Sequence, residues 1–436
     1  MTMNIRQFFT LLRQQRLFSG IYITSTALST ALTMTLFLVI YIMVGPVYPE
    51  QERSRMAILE TVYYQSTDNS GNYLSGASMA LADSLRNMPE VEWLTAIRSK
   101  IDGEVIGSDG KRIPCVSQPA DDTYWRVFNF RFIQGRAFNR TEWESNSPVC
   151  VISEGMARKL FGHADMTSSA QDMEDSGLFV RLPDNSLRRV VGIVEDVSMA
   201  TPMTSAQMWT PSEKNSDINT ERQYIGRYTL VMLLPEGKTV EQLQERVARM
   251  EETINQELAS SGSKYQLSLN GQPYTYWQFC LGYNEQSTTR KILGLLLAFL
   301  LIPAMNMGSM VASRINARTS EMGIRRAYGA GRMMLLWQVL QENFLLTLIG
   351  SLLGLAISWL IVTLGADWLL FIFNDDGRQM IDGALEPVQL HTDMLFSGWV
   401  VAAVLVATLA LNLIATLGPA LWILRKHVTE EINHKR

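Results

Sequence analysis

Four uncharged, strongly apolar stretches, one near the N-terminus and three in the last third, constrain this chain more than any other feature. They run from Leu17 to Val44, Ile292 to Ser313, Asn343 to Ala366 and Met394 to Leu424. Each reaches the ~20 residues that an α-helix needs to cross the hydrocarbon core of a bilayer. Between the first and second lies Gly45 to Arg290, of soluble-protein composition and long enough to build its own core. The expected fold class is an α-helical membrane protein with four transmembrane helices and a large mixed α+β domain inserted between helices 1 and 2.

Basic residues flanking membrane helices resist translocation, so the short loops set the orientation. Arg6, Arg13 and Arg16 precede the first helix, Arg314, Arg318, Arg325, Arg326 and Arg332 lie between the second and third, and Arg425, Lys426, Lys435 and Arg436 follow the fourth. These faces are expected to be cytoplasmic, with both termini inside. The loop at 367–393 carries Asp367, Asp375, Asp376, Asp382, Glu386 and Asp393 against a single Arg378, which places it and the 45–290 domain outside. The first apolar run is expected to be a retained helix: it is longer than a signal peptide's, and Met43-Val44-Gly45-Pro46-Val47 offers no small-x-small cleavage site. Ahead of it, within residues 1–16, Ile5, Phe8, Phe9 and Leu12 share one helical face, as in an amphipathic helix lying on the inner leaflet.

In the outer domain, Thr239 and Gln242 form a capping-box pattern, followed by Val240, Leu243, Val247, Met250, Ile254 and Leu258 at helical spacing. Arg189 to Val194 and Tyr228 to Leu234 read as strands by length and β-branched content, and Val149-Cys-Val-Ile-Ser153 reads as a buried strand. Asp165 to Ser176 reads as an exposed loop and Gly107-Ser-Asp-Gly-Lys111 as a hairpin turn, since the phosphate-loop spacing fails. All three cysteines, Cys115, Cys150 and Cys280, lie in this domain. A Cys115–Cys150 bridge is geometrically open to the sequence, while the apolar surroundings of Cys150 favour free thiols.

Hydrolase, metalloprotease and dithiol motifs are missing: no His-Glu-x-x-His, Gly-x-Ser-x-Gly or Cys-x-x-Cys occurs. His163, the domain's lone histidine, reads as a surface residue at a helix end. A net charge of −4 gives no reason to expect nucleic-acid binding. The domain is expected to bind or to move rather than to catalyse, with no catalytic, cofactor or metal residues of its own.

Within the membrane helices, Ser25, Ser29 and Thr33 form one small-residue stripe, Ala27, Ala31 and Thr35 a second, and Gly350 and Gly354 a matching pair on the third helix. Small residues four apart permit close helix packing in lipid, within one chain or between two permease copies. Pro303 beside Asn306 predicts a kink in the second helix. Glu342 stands near the inner end of the third helix, where pairing with a loop arginine or snorkelling to water both avoid a bare buried charge. Tyr274, Tyr276, Trp277 and Tyr283 precede the second helix as an expected outer aromatic belt. No charge sits mid-helix, as an ion-conducting path would require.

The most specific local sequence is Arg318-Thr-Ser-Glu-Met-Gly-Ile-Arg-Arg-Ala-Tyr-Gly-Ala330, inside the 314–342 segment. Glu321 and Arg325 stand i,i+4, and Gly329 suits a left-handed helix end, giving a short charged knob. By composition alone its arginines also suit anionic lipid. This stretch resembles the signature of FtsX-like permeases of the MacB type. Leu11 to Ser19, Phe128 to Phe138, Val149 to Gly162, Arg189 to Val197 and Gln341 to Gly354 resemble successive landmarks of the same family, whereas Gly418 to Ile432 keeps only a loose likeness.

The resemblance implies a bacterial inner-membrane permease with a MacB-like periplasmic core at 45–290. It implies that Arg318, Glu321, Gly323, Arg325, Arg326 and Gly329 form the segment coupling to a separate cytoplasmic ABC ATPase, which would hold ATP and magnesium. A second permease copy or paralogue, a periplasmic adaptor and membrane lipids are the other implied partners. Efflux of a drug or peptide by mechanotransmission is the leading expectation. Lipoprotein release and control of a cell-wall hydrolase are its alternatives, and an ATP-independent sensing ectodomain is the rival of another class.

Overall fold

The computed structural model describes residues 16–67, 71–107, 110–162, 177–198, 200–213, 223–281, 331–373 and 398–425, with isolated positions between 290 and 329. The chain divides into two compact units, one comprising Met1–Ile40, Gln286–Leu369 and Leu395–Arg436, the other Tyr41–Glu285 and Leu370–Met394.

In chain order the elements are α1 (Arg16–Val44), β1 (Met56–Leu59), β2 (Val62–Ser66), β3 (Tyr73–Ala77), α2 (Met79–Arg86), β4 (Trp93–Arg98), β5 (Ile101–Ile106), β6 (Arg112–Ala120), α3 (Tyr124–Val127), β7 (Phe132–Gly135), α4 (Arg140–Glu144) and β8 (Val149–Ser153). They continue with α5 (Glu154–Phe161), β9 (Phe179–Arg181), β10 (Leu187–Val194), β11 (Met208–Pro211), β12 (Ile225–Gly226), β13 (Tyr228–Leu233), α6 (Val240–Ser260), β14 (Tyr265–Ser268), β15 (Tyr274–Thr275), α7 (Tyr276–Leu281), α8 (Arg332–Phe373) and α9 (Gly398–Arg425).

The outer unit contains two sheets. The first is antiparallel, in the order β14-β2-β3-β13-β1-β15, with β4 also on β13 and β12 on β3. β1 is buried at every position and β13 at all but Thr229, and strand geometry sends alternate side chains to opposite faces. Ala57 and Leu59 of β1 and Leu230 and Met232 of β13 pack with Leu81 and Leu85 of α2 and Val240, Leu243, Val247 and Ile254 of α6. Met56, Ile58, Val231 and Leu233, on the other face, pack with Val149, Val151, Val191 and Trp209 of the second sheet. One strand pair thus serves two cores.

The second sheet runs β7-β10-β8-β11-β6-β5-β9, and β9 pairs again with β10, so the strand path closes on itself. Gly135 and Gly192 face each other where β7 meets β10. A Cβ on Gly135 would stand 2.3 Å from the Val191 carbonyl, and one on Gly192 2.3 Å from that of Arg136, so neither position admits a side chain. Helix α6 starts at the capping box expected from Thr239 and Gln242. It covers the edge of β14: the Asn255 side chain donates to the Leu267 carbonyl at 2.9 Å and accepts the Leu267 amide at 2.7 Å.

The expected hairpin is present: the Gly107 amide donates to the Lys111 carbonyl at 2.9 Å, between β5 and β6. None of Cys115, Cys150 and Cys280 forms a disulfide. Burial pushes the Cys115 and Cys150 thiols up to about 12, which leaves them inert packing groups. The Asp165–Ser176 loop and His163 lie outside the described residues.

In the other unit, α1 and α8 are long and apolar enough to cross a membrane, α8 over Trp337–Gly365. The third apolar stretch belongs to a helix that begins at Arg332, ahead of the expected Asn343, and continues past a break at Gly365 (φ −117°, ψ 15°) to Phe373. The uncharged stretch is bounded by Glu342 and Asp367, single charges that interrupt an apolar run without ending a helix. The fourth stretch forms α9, and the second lies outside the described residues apart from isolated positions.

Candidate functional site

Of the expected coupling residues, Arg318, Glu321, Gly323, Arg325 and Arg326 lie outside the described residues. Gly329 has φ +91°, one residue after Tyr328, whose amide donates to the Ile324 carbonyl at 3.1 Å. The pairing has the i to i−4 spacing of a helix, and the glycine after it takes the conformation that other residues avoid. Pro303 and Asn306 also lie outside the described residues.

The helix-packing residues separate into two groups. Gly350 and Gly354 meet α1 closely enough that a Cβ on Gly354 would stand 2.6 Å from the Ala27 carbonyl and 2.7 Å from Thr30 Cβ, and one on Gly350 2.6 Å from Thr26 Cβ. Hydroxyl pairs continue the seam along both helices, Tyr22 with Thr347 at 3.0 Å, Thr30 with Ser351 at 3.4 Å and Thr35 with Ser358 at 3.1 Å. The seam therefore uses Thr26, Ala27, Thr30, Ala31 and Thr35. Ser25 and Ser29 are half-buried on the neighbouring stripe, and Thr33 is buried with no hydrogen-bond partner for its hydroxyl. Glu342 is buried within α8 together with Asn343 and Thr347.

The most heavily bonded polar group of the outer unit was not anticipated from sequence. The chain leaves α1 at Val44 and, after Pro49, brings Glu50 and Arg53 back under the helix end, where both side chains have 0% exposure. Arg53 Nη1 donates to the carbonyls of Ile42 at 2.7 Å, Met43 at 3.3 Å and Gly45 at 3.0 Å. The last carbonyls of a helix have no partner within it, and a guanidinium satisfies them while complementing the negative end of the helix dipole. Arg53 Nε donates to Glu50 Oε2 at 2.9 Å, and Nη2 to the Ala200 carbonyl at 3.2 Å.

Glu50 is equally saturated. Its Oε1 accepts the Met203 amide and the Thr204 hydroxyl, each at 2.9 Å, and its Oε2 accepts the Tyr276 hydroxyl at 2.5 Å. The Arg53 guanidinium also lies 4.6 Å from the centre of the Tyr276 ring. Burial opposes the charge on Arg53, yet the Glu50 carboxylate holds its pKa above the ordinary arginine value. Burial, with the Glu50 charge beside it, raises Tyr276 well above the usual phenol range and keeps it a donor.

Tyr276 is therefore not part of an aromatic belt. It is 2% exposed, and its hydroxyl is directed inward at Glu50. Tyr274 donates to the Asn270 carbonyl at 2.8 Å, and Tyr283 lies outside the described residues. The sequence signal for this node was an acid and a base three apart soon after the first apolar stretch, with a tyrosine in the segment leading to the second. Cys280, one turn along α7 from Tyr276, completes the contact by donating to the Met43 carbonyl at 3.4 Å. Four chain segments meet here: 42–45, 50–53, 200–204 and 276–280.

Among the described residues, no group of three or more His, Cys, Asp or Glu could hold a metal ion. The node is a fully bonded junction, suited to bearing load.

Residues 19–250 match the family model of the MacB-like periplasmic core domain, and residues 293–428 that of the FtsX-like permease C-terminal region. The chain is 26% identical over 246 residues to the macrolide export ATP-binding/permease protein MacB 1 of Yersinia pestis bv. Antiqua, a match covering 55% of this chain and 34% of that protein. It is 24% identical over 245 residues to MacB of Escherichia coli K12, again covering 55% and 34%. The match thus spans about a third of the length of these curated relatives. Among solved structures, a permease-protein domain from Porphyromonas gingivalis is similar at 19% identity and TM-score 0.35, over 50% of this chain and 88% of that one. The periplasmic region of MacB from Actinobacillus actinomycetemcomitans is similar at 13% identity and TM-score 0.32, over 55% and 93%.

Proposed function

The chain belongs to the permeases that carry a MacB-like periplasmic core domain ahead of an FtsX-like permease region, and on that premise we propose that it is the membrane subunit of an ABC transporter powered by a separate cytoplasmic ATPase. The observation that carries this reading is the succession of the two family regions in one chain, 19–250 and 293–428. In it, two permease subunits engage two ATPase subunits, which hold the ATP and magnesium.

Closure of the ATPases pulls on the segment containing Arg318, Glu321, Gly323, Arg325, Arg326 and Gly329. Helices 1 and 2 pass that movement to the outer domain, with both termini on the cytoplasmic side. The absence of a mid-helix charge in the sequence supports mechanical transmission over conduction through the helices. Relatives named as macrolide exporters support a drug or peptide as cargo, handed to a periplasmic adaptor.

The test is affinity purification of the tagged protein from its native membrane, wild type against Glu321→Ala and Arg325→Glu, with an ATPase assay. An ABC ATPase that accompanies wild type and is lost from correctly inserted variants is the expected result. Wild type purifying without any ATPase would remove the proposal's support.

A further inference from the structure

The node around Arg53 draws together stretches of chain that are far apart in sequence and continuous with different membrane helices. Ile42, Met43 and Gly45 end α1, and Tyr276 and Cys280 belong to α7, which precedes the second apolar stretch. Glu50 ties both to the loop around Met203 and Thr204, whose residues Ser198, Thr201 and Thr204 are buried. A buried ion pair is weak ground for expecting stability, because desolvation offsets most of the attraction. An apolar cluster would serve a static junction as well. What the charged version adds is direction: every donor of Arg53 is committed to a carbonyl or to Glu50, so neither helix end can turn without breaking several bonds at once.

We infer that Glu50, Arg53 and Tyr276 are positioning residues that lock the exit of helix 1 to the approach of helix 2, so that both deliver motion to the outer domain as one rigid joint at the 200–205 loop. The purpose of the joint rests on the transporter reading proposed above; its geometry does not. A pull on either helix moves Ile42–Gly45, Tyr276–Cys280 and Met203–Thr204 together, with no slip between them. Glu50 is the hub, since its two oxygens receive the loop on one side and Arg53 and Tyr276 on the other.

Two measurements test this. The first is hydrogen–deuterium exchange on the purified full chain, comparing wild type with Tyr276→Phe, a change that removes one hydroxyl and leaves the ring. Rigid coupling predicts exchange faster by roughly tenfold or more in 41–45, 198–206 and 276–281 alike, because a hydrogen bond to a buried charge is lost from a shared unit. Acceleration confined to 276–281, or none, overturns the inference. This arm needs no partner protein, so it stands or falls apart from the transporter reading.

The second uses Met43→Cys with native Cys280, whose Sγ lies 3.4 Å from the Met43 carbonyl, joined by a reducible bis-maleimide long enough to span the two side chains. Cys115 and Cys150 are buried and do not compete. With the partner ATPase in proteoliposomes, the cross-linked protein is expected to keep both ATP hydrolysis and export of a macrolide probe, since the link fastens groups that already move together. Loss of export on cross-linking, restored by reductant while hydrolysis continues, would show that the two helix ends slide past each other and would overturn the joint.

Discussion

Replacing Arg53 by Met removes the sole cation from a node in which Glu50 has 0% side-chain exposure. Glu50 then keeps only the Met203 amide and the Thr204 and Tyr276 hydroxyls, three neutral donors for a desolvated carboxylate. The carbonyls of Ile42, Met43, Gly45 and Ala200 lose their guanidinium contacts in the same step. Removing one member of a buried pair costs about 3–5 kcal/mol. At ~2–4 °C per kcal/mol for a unit of this size, the melting temperature of the outer domain should fall by roughly 6–20 °C. Adding Glu50→Gln to Arg53→Met removes the uncompensated charge, so the double variant should lose less than the sum of the two single losses, by a coupling of about 1–3 kcal/mol. The assay is tryptophan-fluorescence melting of the full chain in detergent, run as a complete double-mutant cycle. A loss below ~1 kcal/mol for Arg53→Met, or single losses that simply add, would refute the account of a desolvated and mutually dependent pair.

Gly354→Leu should cost about 1–3 kcal/mol by forcing α1 away from α8, whereas Gly365→Ala, where a Cβ meets nothing within 4 Å, should be close to neutral in the same unfolding assay. Thr239→Ala should lose about 0.5–2 kcal/mol, measurable as a lower melting temperature, by deleting the side-chain cap of α6. Asp121 supplies the pH dependence: burial raises its pKa from 3.8 to about 6 against the bonds it accepts from Thr95 and Ala96. Because the folded value stands above the unfolded one, its favourable contribution is complete below pH 3.8 and is lost as pH rises through about 6, a change of up to about 3 kcal/mol. Melting curves from pH 4 to 7 should show this decline in wild type and a flatter profile in Asp121→Asn; identical profiles would contradict it.

What the sequence disclosed was whatever depends on near neighbours. The Thr239–Gln242 cap, the 3.6-residue period of α6, and the apolar runs of β8, β10 and β13 are local properties, and the structure follows them. Gly350 and Gly354 were legible for the same reason. The stripe they meet was not: Ser25-Ser29-Thr33 and Ala27-Ala31-Thr35 are equally good small-residue faces, and only the position of α8 selects the second. The node was harder still. Glu50 and Arg53 resemble ordinary interfacial charges until Thr204 and Tyr276, 154 and 226 residues away from Glu50, close over them. Tyr276 was misjudged because an aromatic residue beside a membrane helix suits a lipid interface and a protein interior equally well.

The covering of β14 by Asn255 bears on how this domain can meet other proteins. An exposed sheet edge invites any extended peptide to add itself as a further strand, with little regard for sequence. Here a side-chain amide already occupies both backbone groups of Leu267, and Glu251 accepts the Leu269 amide at 3.2 Å. A protein approaching this margin meets the Leu267 and Leu269 backbone groups already bonded and must be selected through complementary side chains. Wherever extended chains are at hand, that keeps recognition discriminating where an open edge would be indiscriminate.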